Sequence, residues 1–296
     1  MTYFGELLIN GISLGFIYGL IALGFVVIYK ATEVVNFAQG SLLLLGAYIV
    51  ARTHASLGFV LAVVVGAAAA AVGAVLIEFL LVRRARRADP IALAILTIGV
   101  DIALATDLTR RIGQRVLSFD DPWGNRKVDL GPFTVPQARI AAMVVSIVLL
   151  VAFFTAFKYT KWGVATRATA EDHEAAALMG ISRSRVSMVS WMVAGALATV
   201  AGVFLGTSPS PGLNNTSNLT ALNAFPAAVV GGLDSTEGAI VGGLLIGIVQ
   251  SLASGYNDKL SFLGSPLDNV AAYGVMLIVL LWRPSGLFGT KEVARV

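Results

Sequence analysis

The sequence predicts an all-α protein: a polytopic bundle of transmembrane helices, a single domain over residues 1–296. Two observations predict it. Hydrophobic residues make up 57% of the chain and charged residues 13%, against roughly 25% charged in a soluble domain, and mean hydropathy is +0.82. So few charges cannot clothe a surface that faces water all round. The apolar residues also gather in runs of about 20, the length a helix needs to cross the hydrocarbon core. Composition removes other classes too. There is no cysteine, and the two histidines, His54 and His173, stand far apart, which excludes disulfides, thiolate sites and a histidine-rich metal cluster. A net charge of +4 points to loops beside a membrane, not to nucleic acid.

The runs follow in order. Residues 5–29 form the first, read as a retained helix because the first positive charge, Lys30, comes after it. Residues 38–51 are short and follow the irregular VVNFAQG. Residues 57–82 have an Ala-rich centre, and 91–108 carry Asp101 and Asp107. Residues 138–157 and 186–206 are clear spans. Residues 219–232 are short and hold Pro226; 238–255 are Gly-rich; 267–282 close the series. That makes eight or nine segments, two of them short or broken, depending on whether 219–232 crosses fully or is re-entrant. The arginine-rich RRARRADP, 83–90, and the basic loop 158–185 lie two crossings apart and share a face, the cytoplasmic one. The 109–137 segment, whose basic residues are accompanied by Asp120, Asp121 and Asp129, then lies outside, the N-terminus outside and the C-terminus inside, which favours nine segments.

Two stretches look alike. EVVNFAQGSLLLLGAY, 33–48, and LNAFPAAVVGGLDSTEGAIVGG, 222–243, each pass from an Asn-and-Phe start through small residues into an apolar helix. Interrupted segments in matching positions of two halves, here a possible inverted repeat, mark a transport pathway; ordinary helix starts are the alternative. Asn36, Phe37, Gln39 and Gly40, with Asn223, Phe225 and Pro226, are the candidate lining. They offer amide dipoles and aromatic faces without fixed charge, which suits a zwitterion that must bind weakly and leave. Asp101, in mid-span, is a functional candidate because carboxylates are costly in lipid. An ion-coupled carrier would use it, or it faces a polar interior or a partner subunit. Asp107 beside Arg110 and Arg111, and Glu78 a turn from Arg83 and Arg84, read as local ion pairs. Two isolated histidines supply no nucleophile–base pair, so no enzyme is expected.

One stretch is charged and helical: RATAEDHEAAALMGI, 167–181. Helix formers run from 165 to 179 after a turn-like Gly163. Thr169 with Asp172 gives a capping pattern, and Gly180 fits a C-cap. Asp172, Ala175, Ala176 and Met179 then share one face. So short a helix needs something to pack against: its own bundle or the lipid surface, or a groove on a separate protein.

Glu174-Ala175-Ala176 with Gly180 resembles the coupling-helix loop of bacterial ABC importer permeases. YGLIALGFVVIYKATEVVNFAQGSLLLLGAY, 18–48, FPAAVVGGLDSTEGAIVGGLLIGIVQ, 225–250, and WRPSGLFG, 282–289, resemble the branched-chain amino acid permease family. Where the wider importer pattern places Leu-Pro, this chain has Ser190-Trp191-Met192. The resemblance implies a permease subunit in a prokaryotic inner membrane, carrying branched-chain amino acids or a related small polar solute inward. It implies two ATP-binding cassette subunits, a second and usually different permease chain, and an extracytoplasmic binding protein. The loop 159–185, with Arg167, Asp172, Glu174, Ala175, Ala176, Met179 and Gly180, would enter a cleft of the ATPase. No G-x-x-x-x-G-K-[ST] phosphate loop occurs here; GLFGTKE, 286–292, has the wrong spacing. No cofactor is therefore expected on this chain, and ATP would be bound by partner subunits.

Overall fold

The computed structural model describes residues 2–85, 89–114, 116–124, 126–207, 212–214, 222–257 and 267–290. Its centre is α1 (Thr2–Thr32). Residues 17–28 of that helix are buried all round, which is where a helix apolar on every face belongs. The antiparallel α10 (Thr236–Gly255) lies along it. Glycines set that closeness: a Cβ on Gly243 would come within 2.6 Å of the Gly19 nitrogen, and one on Gly15 within 2.7 Å of the Leu244 Cα. Lipid tails give helices no hydrophobic reason to associate, so close backbone packing must do it.

Further helices surround this pair. They are α2 (Gln39–Leu57), α3 (Phe59–Ile77), α4 (Pro90–Ile112), α5 (Gln137–Tyr159), α8 (Arg183–Leu205) and the shorter α11 (Leu267–Trp282). Six described helices are long and apolar enough to cross a membrane, with α11 shorter. The bundle is helical and polytopic, as composition predicts. α2 and α3 form a hairpin at Gly58, whose φ of +75° is left-handed and costs glycine little. α3 runs into a π turn, Glu78–Val82, closed by Arg83 N–H donating to the Glu78 carbonyl at 2.7 Å. Asp89 caps α4 by accepting from Ile91 N–H at 2.8 Å, with Pro90 in the first turn.

The two faces differ. On one lie Lys30, Arg83, Arg283 and two short helices, α6 (Lys161–Glu171) and α7 (His173–Leu178); this is the basic face. On the other lies a hairpin, β1 (Lys127–Leu130) and β2 (Phe133–Pro136), turned at Gly131. It was not anticipated, being only four residues per strand. Trp123 fastens this segment to the bundle, its ring 5.3 Å from Phe59 and 5.5 Å from Phe204.

The 219–232 stretch contains no spanning helix among its described residues; positions 219–221 lie outside them. Its helix is α9 (Phe225–Gly231), of seven residues and so about 10 Å long. Phe225 packs on Phe25, well inside α1, with ring centroids 5.5 Å apart. The other end of α9 reaches the basic face, where Lys30 Nζ donates to the Asp234 carbonyl at 2.6 Å. There the WRPSGLFG segment is pinned. Leu287 N–H donates to the Val230 carbonyl at 2.8 Å, and Phe288 N–H to that of Gly231 at 3.0 Å. Gly232, at φ +104°, has no room for a side chain, since its Cβ would come within 2.6 Å of the Gly289 nitrogen.

Candidate functional site: two helix breaks and a basic-face loop

The chain leaves α1 at Thr32 and turns at Glu33, which takes a left-handed φ of +61°, uncommon for a side chain of this kind. Residues 34–37 then re-enter the bundle outside any helix. Inside a membrane those backbone groups need protein partners, and α4 supplies them. Phe37 N–H donates to Thr97 Oγ1 at 3.1 Å, and the Thr97 hydroxyl, which donates to the Ala94 carbonyl at 2.7 Å, also lies 3.4 Å from the Val35 carbonyl. One turn along, Asp101 Oδ1 accepts from Ser41 N–H at 2.9 Å. A helix start presents free N–H groups and a partial positive charge, so the mid-span carboxylate has a local cause: it caps α2 from a neighbouring helix.

Asn36 and Gln39 are both fully buried. Asn36 Oδ1 accepts from Ala38 N–H at 3.0 Å, and Asn36 Nδ2 donates to Gln39 Oε1 at 3.4 Å. Gln39 Nε2 donates to the Ala194 carbonyl on α8 at 3.3 Å. These amides therefore hold the break in place instead of facing an open space. Gly24 makes room for them, because a Cβ there would lie 3.3 Å from Gln39 Cδ. Gly40 is buried in the first turn of α2.

The second break meets the first. Phe225, half-buried at the start of α9, lies 5.6 Å from Phe37 between ring centroids, and Pro226 beside it is buried in the first turn. Asn223 is half-buried just before. The two stretches that look alike in sequence thus touch through their aromatics. Between this contact and the basic face lies a hollow of about 1700 Å³, walled by Tyr29, Lys30, Glu171, Asp234 and Arg283 among others.

The basic-face loop departs from its expected shape. A single helix over 165–179 does not form; Asp172 splits it, with φ −156° and ψ 105°. Its carboxylate accepts from Glu174 N–H at 2.9 Å and Ala175 N–H at 3.0 Å, capping α7. The local cause is the preference of Asp for a cap over a helix interior. Thr160, not Thr169, caps α6, accepting from Gly163 N–H at 3.2 Å. Gly163 is helical rather than a turn; its missing Cβ would sit 2.6 Å from the Phe157 Cα. Gly180, at φ +81°, does end α7: Ile181 N–H donates to the Ala176 carbonyl and Gly180 N–H to that of Ala177, both at 3.0 Å, a Schellman closure.

The predicted common face of Asp172, Ala175, Ala176 and Met179 is likewise divided by the break. Ala176 is buried within this chain, while Glu174, Ala175, Leu178 and Met179 are exposed, Leu178 by 89% and Met179 by 83%. Arg167 turns back, donating from Nη1 to the Phe157 carbonyl and from Nη2 to that of Lys158 at 3.3 Å. It satisfies the end of α5. Asp107 pairs with Arg111 at 2.6 Å, as spacing predicts. Sequence reasoning missed Thr97 and Ser41; the legible signal was a Thr one turn before Asp101 on the same helix. Among the described residues no three metal-ligating side chains gather.

A family model for the permease component of branched-chain amino acid transport systems matches residues 7–281. The chain belongs to the branched-chain amino acid transport permease family. The high-affinity branched-chain amino acid permease LivH of Escherichia coli K12 is 31% identical over 99% of this chain and 98% of its own. BraD of Pseudomonas aeruginosa is 30% identical over 98% and 97%, and the probable LivH permease of Methanocaldococcus jannaschii 30% over 94% and 90%. This is a multi-pass transport permease and not an enzyme.

The permease should be sensitive at Asp101 in a graded way. Asp101→Ala leaves the Ser41 N–H without its acceptor and should lower stability by about 1–2 kcal/mol, the scale of a lost helix cap. Asp101→Asn keeps an acceptor oxygen and should lose less. Thermal unfolding in detergent, followed by size exclusion, measures both; equal melting of Asp101→Ala and the parent protein would remove the capping role.

Proposed function

We propose that this permease is the membrane subunit of an ABC importer. It moves branched-chain amino acids, or a related small polar solute, into the cytoplasm on energy from separate ATPase subunits. The observation that carries the reading is the exposed apolar end of α7, Leu178 and Met179, on a helix capped at both ends. Such a rigid apolar knob beyond the membrane fits a groove on a partner. Two ATPases, a second and related permease chain, and an extracytoplasmic binding protein complete the assembly, in keeping with the family. The basic face is cytoplasmic by its Lys and Arg content, which puts the β-hairpin and N-terminus outside.

In this mechanism the coupling loop is α6 with α7. Closure of the ATPases pushes α7 through Ala175, Leu178 and Met179, with Glu174 at the rim. α6 passes the push on, since Gly163 packs against the backbone of α5 and Arg167 ties to its last carbonyls. α6 also walls the hollow below the Phe37–Phe225 contact. Parting of those rings opens the route from the outer side. Asn36, Gln39 and Asp101 serve by keeping α2 seated while the aromatics move; Phe37, Gly40, Asn223, Phe225 and Pro226 form the wall.

A Leu178→Glu, Met179→Glu double variant should insert normally, because both side chains face away from the bundle. It should lose the ATPase on purification: an unpaired buried charge costs several kcal/mol, and each 1.4 kcal/mol is about tenfold in affinity. Retained uptake with no ATPase bound would overturn the reading in favour of a carrier driven by an ion gradient. Orientation is tested separately in this cysteine-free chain. An impermeant thiol reagent should label Lys127→Cys in intact cells and spare Ala170→Cys, and the reverse pattern would invert the assignment.

A further inference from the structure

Arg139 is the third residue of α5, and 9% of its surface is exposed. Its backbone carbonyl accepts from Ser13 Oγ of α1 at 3.0 Å. Ser13 stands about 25 Å above Lys30 along α1 at 1.5 Å per residue, which keeps this level within a hydrocarbon core about 30 Å thick. The guanidinium makes no hydrogen bond or ion pair with any described residue. An arginine in that position is costly unless something compensates it, and five planar donors on a rigid fork match a carboxylate.

Its surroundings are polar. The Tyr18 hydroxyl lies within electrostatic reach of both Arg139 and Asp268 and meets Gln250. Gln250 Nε2 donates to Asn269 Oδ1 at 3.4 Å. Tyr273 O–H donates at 3.4 Å to the Leu222 carbonyl, immediately before the second helix break. Opposite charges on α5 and α11, joined by neutral donors and acceptors beside a broken helix, are suited to a zwitterion and unsuited to a simple anion, which Asp268 repels.

We propose that Arg139 binds the carboxylate of the translocated amino acid at the outer end of the pathway, with Asp268 as the counter-charge for its ammonium group. The inference rests on the transport reading above and adds a recognition element to it. Substrate passing from the binding protein meets Arg139 first and the Phe37–Phe225 contact next.

The test uses the assembled importer in nanodiscs with a single reporter, Tyr273→Cys. Alkylation by a water-soluble maleimide should slow several-fold with leucine, or with 4-methylpentanoate, which keeps only the carboxylate. Isoamylamine, which keeps only the ammonium group, should protect far less. Protection should vanish in Arg139→Gln and weaken in Arg139→Lys, which keeps the charge without the fork. Equal protection by 4-methylpentanoate and isoamylamine, unchanged protection by leucine in Arg139→Gln, or no protection in an importer that still transports leucine would each overturn the proposal. The analogue comparison needs no Arg139 variant, so a folding defect in Arg139→Gln leaves the question decidable. Failure of the wild-type assembly to take up leucine would instead overturn the branched-chain amino acid part of the transport reading.

Discussion

Backbone hydrogen bonding without water is the constraint on which this structure turns. A helix satisfies itself in lipid; a break does not. The permease breaks its helices twice inside the bundle, before α2 and before α9, and each break has its own supports. Before α2 they are side chains of Thr97 and Asp101 on α4 and of Asn36 within the break itself. At α9 they lie at the far end, where the C-terminal segment donates to the Val230 and Gly231 carbonyls. A carboxylate that looks like an energetic liability when α4 is considered alone becomes a cap once α2 is placed beside it.

The same constraint relates the two breaks to movement. α2 is tied to α4 and, through Gln39, to α8, while α9 is tied to the tail and sits against α10. Where the two units face each other the contact is aromatic, Phe37 on Phe225, with no hydrogen bond between the rings to be broken. Aromatic packing separates at modest cost, on the order of 1 kcal/mol beyond area burial. The polar bonds fix each unit internally, and in the proposed mechanism the apolar contact is where they part.

Much of this was legible in the sequence. The runs of apolar residues gave the spanning helices to within a few residues, because length in lipid is set by the bilayer. The likeness of 33–48 and 222–243 pointed to two stretches that do meet. What was not legible were side-chain destinations. Asn36 and Gln39 look like lining residues by type, yet they turn to each other and to α8. Arg167 and Asp172 look like docking charges, yet one caps α5 and the other splits the loop helix. Helical periodicity across 165–179 hid that split, because it counts residues and cannot detect a cap in the middle. The hairpin, being short, carries too little pattern to be found.

The central claim is that the contact of the two breaks is the moving part of the permease. The direct measurement is a cross-link between Phe37→Cys and Phe225→Cys, made with a short bifunctional thiol reagent that a reducing agent cleaves, in the assembled importer. Complete cross-linking should stop ATP-driven uptake while the ATPase stays bound, and reduction should restore it. Undiminished uptake with the two positions fully cross-linked would contradict the account, because the rings would then have no need to separate.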